Sequence, residues 1–344
     1  ETVALGRALA ELSVGRAIGL PTETVYGLAG DATDPAAITR VYEAKGRPRF
    51  NPLIAHVSDI AMAERQVRFS PLARKLAETF WPGALTLVLP LAPYRTVHDL
   101  ATAGLDTLAV RAPRGFAGRL ISAFGKPLAA PSANLSGKIS ATTAEHVAGD
   151  LGDKINLILD AGSTPVGVES TIIKVEDDNL TLLRPGGIAT GAIEAVAGYE
   201  VVRPEADGRI EAPGMLTSHY APEAGVILDA RHAEPGDAVI RFGRTPLDGD
   251  ENAALLLDLS PEGDFAEAAA NLFDYLKRAD ASGAKIIRVG PVPEHDLGEA
   301  IEDRSLHRFR DGRLDDRGRR RAVLRQGRRR FHGRGRRRDR EAGD

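Results

Sequence analysis

The 344-residue chain has no cysteine, which excludes disulfide staples, thiolate nucleophiles and thiolate metal sites. Aromatic residues make up only 5% of it, and no apolar run approaches the roughly 20 residues needed to cross a bilayer, so no membrane partner is expected. There is no Gly-x-x-x-x-Gly-Lys-Ser/Thr loop, no His-Glu-x-x-His and no Gly-x-Ser-x-Gly elbow, which removes a Walker-type phosphate loop, a zincin and a serine-hydrolase nucleophile. The eight histidines are scattered without metal-ligand spacing, and no metal ligand is named. The first residues show no basic stretch leading into an apolar core, so no secretory leader is read there and a cytoplasmic protein is expected.

What is present points to an enzyme-sized α/β protein. With 43% hydrophobic residues in a chain longer than one usual domain, two cored units are predicted. The net charge of −3 conceals an asymmetry: residues 311–344 carry fourteen Arg, no Lys and six acidic residues, a net +8, which leaves −11 for the remainder. An acidic body argues against a broad nucleic-acid surface, whereas the tail offers charge to phosphates and a possible RNA contact. That tail lacks apolar periodicity and reads as disordered. It fits either an RNA-binding arm or the translation of a shifted reading frame.

Strand-like runs at 17–20, 53–57, 85–89, 107–111, 157–159 and 170–175 alternate with helices announced by Asp34-Pro35, Ser70-Pro71 and the stretch Thr142-Thr143-Ala144-Glu145. This alternation predicts a helix-covered sheet over residues 1–200. Residues 201–222 are rich in turn formers and read as a linker or lid. A second unit spans 223–310, with strands at 226–228, 238–240, 255–257 and 286–289. Between them, Phe265, Ala269, Leu272, Leu276 and Ala279 share one helical stripe. It reads as a small Rossmann-like domain, without the Gly-x-Gly-x-x-Gly of dinucleotide binding.

Three segments carry candidate chemistry. Pro21-Thr22-Glu23-Thr24-Val25-Tyr26-Gly27 comes first; one helix later come Lys45, Arg47 and Asn51, stiffened by Pro48 and Pro52. The third, residues 131–140, offers Ser132, Asn134 and Ser140 just after a short buried strand at 127–130. Singly, the two cations read as solvated charges at a helix C-terminus, and Ser132 and Asn134 as an ordinary turn. Together they form a cradle for phosphates that is not a P-loop.

The ordered set PTETVYGL, KGRP..NPL, VRAP, APSAN.SG, ESTI and RPGG resembles the YrdC-like family in its two-domain threonylcarbamoyl-AMP synthase form, over about residues 1–305. The resemblance implies a YrdC-like twisted mixed α/β sheet with flanking helices, followed by the smaller Rossmann-like C-terminal α/β domain. It implies ATP-dependent condensation of L-threonine with bicarbonate or CO2 into threonylcarbamoyl-AMP, with release of pyrophosphate. That nucleotidyl transfer opens the synthesis of N6-threonylcarbamoyladenosine in tRNA and supplies downstream threonylcarbamoyl-transfer machinery. By the same resemblance Lys45, Arg47, Ser132 and Asn134 are catalytic, and Arg47, Asn51, Thr107, Ser132, Ser140, Arg184 and Tyr220 face ATP. Thr24, His56, Arg111, Ala130 and Ser170 would surround threonine, with Arg111 as carboxylate partner. Mg2+ is expected with the ATP. Tyr220 sits in Pro213-Gly214-Met215 … His219-Tyr220-Ala221-Pro222, which the family folds over its site.

Read alone, His56 is more often a satisfied structural histidine, Arg111 an ordinary cation at a strand end, and Arg184 part of a helix-capping turn. An RNA-binding or ribosome-associated module without this catalysis is the alternative. A carbamoyl-phosphate-using YrdC-like enzyme would bring acylphosphatase-like and zinc-finger segments, which have no counterpart here.

Overall fold

Helix starts and the placement of apolar residues account for most of the architecture. The computed structural model describes residues 1–204, 210–215 and 222–306, with side chains up to Asp303. Tyr220 and the Arg-rich tail lie outside the described residues.

The first domain contains strands β1 (Ile18–Leu20), β2 (Gly27–Asp31), β3 (Ile54–His56), β4 (Leu85–Pro90), β5 (Thr107–Arg111), β6 (Leu128–Ala129), β7 (Thr171–Glu176), β8 (Asn179–Arg184) and β9 (Val201–Val202). Its helices are α1 (Thr2–Ser13), α2 (Pro35–Lys45), α3 (Ile60–Glu64), α4 (Pro71–Phe80), α5 (Asp99–Thr102), α6 (Gly115–Phe124), α7 (Ala144–Leu151) and α8 (Thr190–Ala197). The strands form one nine-stranded mixed sheet in the order β1-β2-β6-β3-β5-β4-β7-β8-β9. The pairs β3/β5, β4/β7 and β8/β9 are parallel and the rest antiparallel.

The expected caps act locally. Asp34 accepts the Ala36 N–H, Ser70 the Ala73 N–H, and Thr143 the His146 N–H, each satisfying an orphan donor of the first turn. Leu76, Leu85 and Leu87 are fully buried in the main core, where each contributes about 1.5–3 kcal/mol.

The sheet departs from the predicted elements at four places, one of them β9, which starts the expected linker yet pairs with β8. Residues 157–159 make only an isolated parallel bridge between Ile158 and Gly19, and just beyond it the Asp160 side chain accepts the Gly162 N–H. β2 was not predicted, since Gly-Leu-Ala-Gly-Asp carries little β propensity. It is held by pairing with β1 and β6 on both sides. β8, reached from β7 through a turn at Asp177-Asp178, places Arg184 at a strand end.

The second domain has strands β10 (Gly225–Ile227), β11 (Ala238–Arg241), β12 (Leu255–Asp258) and β13 (Ile286–Val289), with helices α9 (Phe265–Ala281) and α10 (Gly298–Leu306). Its sheet runs β10-β13-β11-β12, all parallel. Asp264 caps α9 by accepting the Glu267 N–H, and the helix buries Ala268, Ala269, Leu272, Phe273, Leu276 and Ala279. Ion pairs Lys277–Asp150 (3.3 Å) and Lys138–Glu223 (2.9 Å) join the domains. Among the described residues no helix is long and apolar enough to cross a membrane.

Candidate active site

The cleft lies where β3, β5 and β6 end, and the loops after β1, α2, β6 and α7 meet over them. It measures about 660 Å³ out to its open mouth. Loop-to-loop backbone bonds set its walls. Leu28 N donates to Pro131 O, Ala133 N to Tyr26 O and Tyr26 N to Ala141 O, at 2.7–2.8 Å, tying the first candidate segment to the third. Gly27 forms a bridge with Ser132, and a Cβ on Gly27 would meet the Ala130 Cβ at 3.2 Å, so the two chains touch closely because one is glycine.

Lys45 ends α2, and Gly46 closes the helix with φ 61° in the left-handed region. This turn sends the fully buried Lys45 side chain across to the third segment, where Nζ donates to Ser132 O and to Asn134 O. Burial, then the nearby Arg47 charge, hold its ammonium well below the usual lysine range, opposed by Asp150 and Glu169. Arg47 curls over its own loop: Nη2 donates to Asn51 Oδ1 (2.6 Å) and Pro52 O (2.8 Å), and Nε to Asn51 O (3.2 Å). Asn134 shapes the neighbouring loop by donating to Leu135 O and Lys138 O, both at 2.8 Å.

A second group of lining residues is built on Arg111, the last residue of β5. Its Nε donates to Gly83 O (3.0 Å) and its Nη1 to Thr24 Oγ1 (2.8 Å). Thr22 Oγ1 donates to Val25 O, so the Thr24 hydroxyl gives its own proton to Thr22 Oγ1 and accepts from Arg111. Arg111 Nη2 and Glu23 Oε1 lie 2.8 Å apart, an ion pair whose alignment falls short of a directed hydrogen bond. Burial pushes the Glu23 carboxyl up, but the Arg111 charge and the hydrogen bonds of Glu23 outweigh it and hold the group below its ordinary value.

His56 sits beside Arg111 in the β3/β5 register. Burial, then the Arg111 charge, lower its pKa to about 3, so the imidazole is neutral. The unfolded chain takes that proton near 6.5 and therefore binds more protons between these two values. Stability from this group is complete above pH 6.5 and is lost as pH falls toward 3, by up to about 1.4 kcal/mol per pH unit. Thermal melts taken between about pH 7 and about pH 5 should show a shallower fall for His56→Gln than for the parent; equal slopes would contradict this.

Of the residues singled out in the sequence, Thr24, Lys45, Arg47, His56, Arg111, Ala130, Ser132, Asn134, Ser170 and Arg184 line this one cleft. Arg184 Nη2 donates to Ser170 O (2.9 Å) and Oγ (3.1 Å), and Ser170 Oγ lies 2.7 Å from Thr86 Oγ1. Three expected ATP contacts do not line it. Asn51 is buried behind Arg47, with its Nδ2 lacking a hydrogen-bond partner. Ser140 is buried and donates to Glu169 Oε1 at 2.5 Å. Thr107 lies at the far end of β5, about 13 Å along the strand from Arg111. Between them Ala109 is covered by Ala212 of the 210–215 segment, which packs on that face of the sheet. Tyr220 falls outside the described residues.

Glu169 was not singled out, although it begins the ESTI stretch; it is the one carboxylate among the described lining residues. Gly186 of RPGG packs on it so closely that a Cβ there would meet Glu169 O at 2.3 Å. Pro213 and Gly214 close the cleft from the linker side. Among the described residues no group of three or more acidic or imidazole side chains could hold a metal.

Comparison with known proteins identifies the family. Residues 10–186 match the Sua5–YciO–YrdC family model, described as telomere recombination, and residues 188–307 match that of the threonylcarbamoyl-AMP synthase C-terminal domain. Threonylcarbamoyl-AMP synthase of Pyrococcus abyssi is 42% identical over 84% of this chain and 89% of its own length. The Bacillus subtilis enzyme of the same name is 40% identical over 88% and 92%. The crystal structure of P. abyssi Sua5 complexed with L-threonine superposes with a TM-score of 0.80 at 38% identity, covering 89% of this chain and 94% of that one. The chain belongs to the threonylcarbamoyl-AMP synthase family.

Proposed function

We propose that the cleft condenses L-threonine, bicarbonate or CO2 and ATP into threonylcarbamoyl-AMP, releasing pyrophosphate, as a nucleotidyltransferase at the head of tRNA N6-threonylcarbamoyladenosine synthesis. The observation that carries this reading is that two bonded groups line one cleft: Lys45 with Ser132 and Asn134, next to Arg47, and Arg111 with Thr24, next to His56.

Arg111 takes the threonine carboxylate: its guanidinium is pinned by Gly83 and Thr24, and Glu23 pairs with it at 2.8 Å. A neutral His56 beside it can exchange a hydrogen bond with a hydroxyl without adding a second cation. The threonine amine, in its neutral form, adds to CO2 and loses a proton; a carbamate oxygen then attacks the α-phosphorus, and the bond to pyrophosphate breaks. Carbamates hydrolyse readily, so the walls must exclude water and hold both reactants in line. Lys45 and Arg47 offset the charge that develops on the departing phosphates.

Mg2+, bound with ATP, would withdraw charge from the phosphates. A single carboxylate among the described lining residues suits a cation held mainly by substrate phosphates, and Glu169, whose Oε1 accepts from Ser140, would be its protein ligand.

The test is pyrophosphate release from Mg-ATP and bicarbonate with L-threonine, with L-serine, and with no amino acid. Release that depends on threonine supports the reading. Equal release in all three, or none from folded protein, overturns it.

A further inference from the structure

Val25, Ile139 and Val168 are loop residues of the first domain, yet each is buried in the core cluster of the second, with Ala269, Leu272 and Phe273 of α9. Val25 follows Thr24 and Val168 precedes Glu169 and Ser170, all of which line the cleft, and Ile139 precedes Ser140, which binds the lining residue Glu169. The loops are also stitched to one another: Val166 N donates to Glu23 O (2.9 Å), Gly167 N to Thr24 O (3.1 Å), Thr164 N to Thr142 O (3.0 Å) and Ser140 Oγ to Glu169 Oε1 (2.5 Å).

The contact with α9 is as close as backbones allow. Gly167 has φ +73°, and a Cβ there would meet Ala270 Cα at 2.3 Å and Ala269 O at 2.4 Å. Only glycine on the loop permits that approach to the helix backbone.

We propose that α9 of the second domain is the template on which the three loops of the cleft are positioned, with Val25, Ile139 and Val168 as the positioning residues. The second domain then acts on the reaction through these contacts, without touching substrate. A close-packed interface transmits small displacements, so a void under Val168 moves Glu169 and Ser170 relative to Lys45. Misplacement of reacting groups lowers the rate of the chemical step more than it weakens binding.

This rests on the reading of the cleft given above, and the test has an arm that does not. Val168→Ala is compared with a variant of Ile287, fully buried in the same core on β13, taken as Ile287→Val or Ile287→Ala to match the loss of Tm. Well below Tm, Val168→Ala should lower kcat about tenfold with the KM for threonine and ATP changed less than about threefold, while the Ile287 variant keeps the parental kcat. In hydrogen exchange, which is independent of what the cleft binds, residues 22–27, 137–141 and 166–170 should exchange faster together in Val168→Ala and not in the Ile287 variant. If Val168→Ala does not fold, Ile139→Val carries the same comparison. Unchanged kcat and loop exchange in the α9-contact variant, or equal changes in both variants, overturns the proposal.

Discussion

Arg111→Ala is expected to raise the threonine KM on the order of 100-fold, the loss of a charge-assisted pair with a carboxylate. It is also expected to destabilise the fold by about 3 kcal/mol, because the largely buried Glu23 side chain is left without its cation. The two effects separate in the double variant Arg111→Met with Glu23→Gln, which removes both charges at once. Stability should largely return there while threonine binding does not. Calorimetric titration with threonine alongside denaturant melts checks this. An unaltered threonine affinity in Arg111→Ala would remove Arg111 from the site, and a double variant as unstable as the single one would show that the ion pair is not the reason for the instability.

Lys45→Met is expected to lower kcat/KM for ATP by about 10²–10³-fold, the size of effect seen when one preorganised donor to a developing anion is lost. Ser132 O and Asn134 O would both lose their donor, and an orphaned buried acceptor costs about 1–3 kcal/mol. Lys45→Arg should not rescue the rate, because a planar fork does not reproduce a compact ammonium reaching two carbonyls at the bottom of a closed turn. Near-parental kcat/KM in Lys45→Met would remove Lys45 from the chemistry and leave it as a strut for the third segment.

Much of this site could be read from the chain alone, because its residues cluster in short motifs with fixed neighbours. Lys45 and Arg47 are two apart at a helix end, Ser132 and Asn134 two apart after a strand, and Arg111 closes an apolar run. What spacing does not show is where a side chain turns. The sequence alone leaves Arg47 without a core role, yet it is largely buried and holds its loop through Asn51 and Pro52, so Arg47→Ala would cost stability as well as turnover. The pair Ser140–Glu169 joins residues 29 positions apart, and no local pattern marks it. Val25, Ile139 and Val168 look like ordinary apolar loop residues, since the partner that buries them lies about a hundred residues or more further along the chain. β2 escaped because its glycines suit a buried strand flanked closely on both sides rather than one favoured by propensity. Thr107 shows the reverse case: its motif position suggests the nucleotide, while the 210–215 segment covers the sheet face between it and Arg111.

The most direct test of the central claim is mass spectrometry of the adenylated product formed from ATP, L-threonine and 13C-bicarbonate. The expected product is a threonylcarbamoyl adenylate carrying one 13C atom, formed together with pyrophosphate. An unlabelled threonyl adenylate, with the amino acid joined to AMP through its own carboxylate, would contradict it.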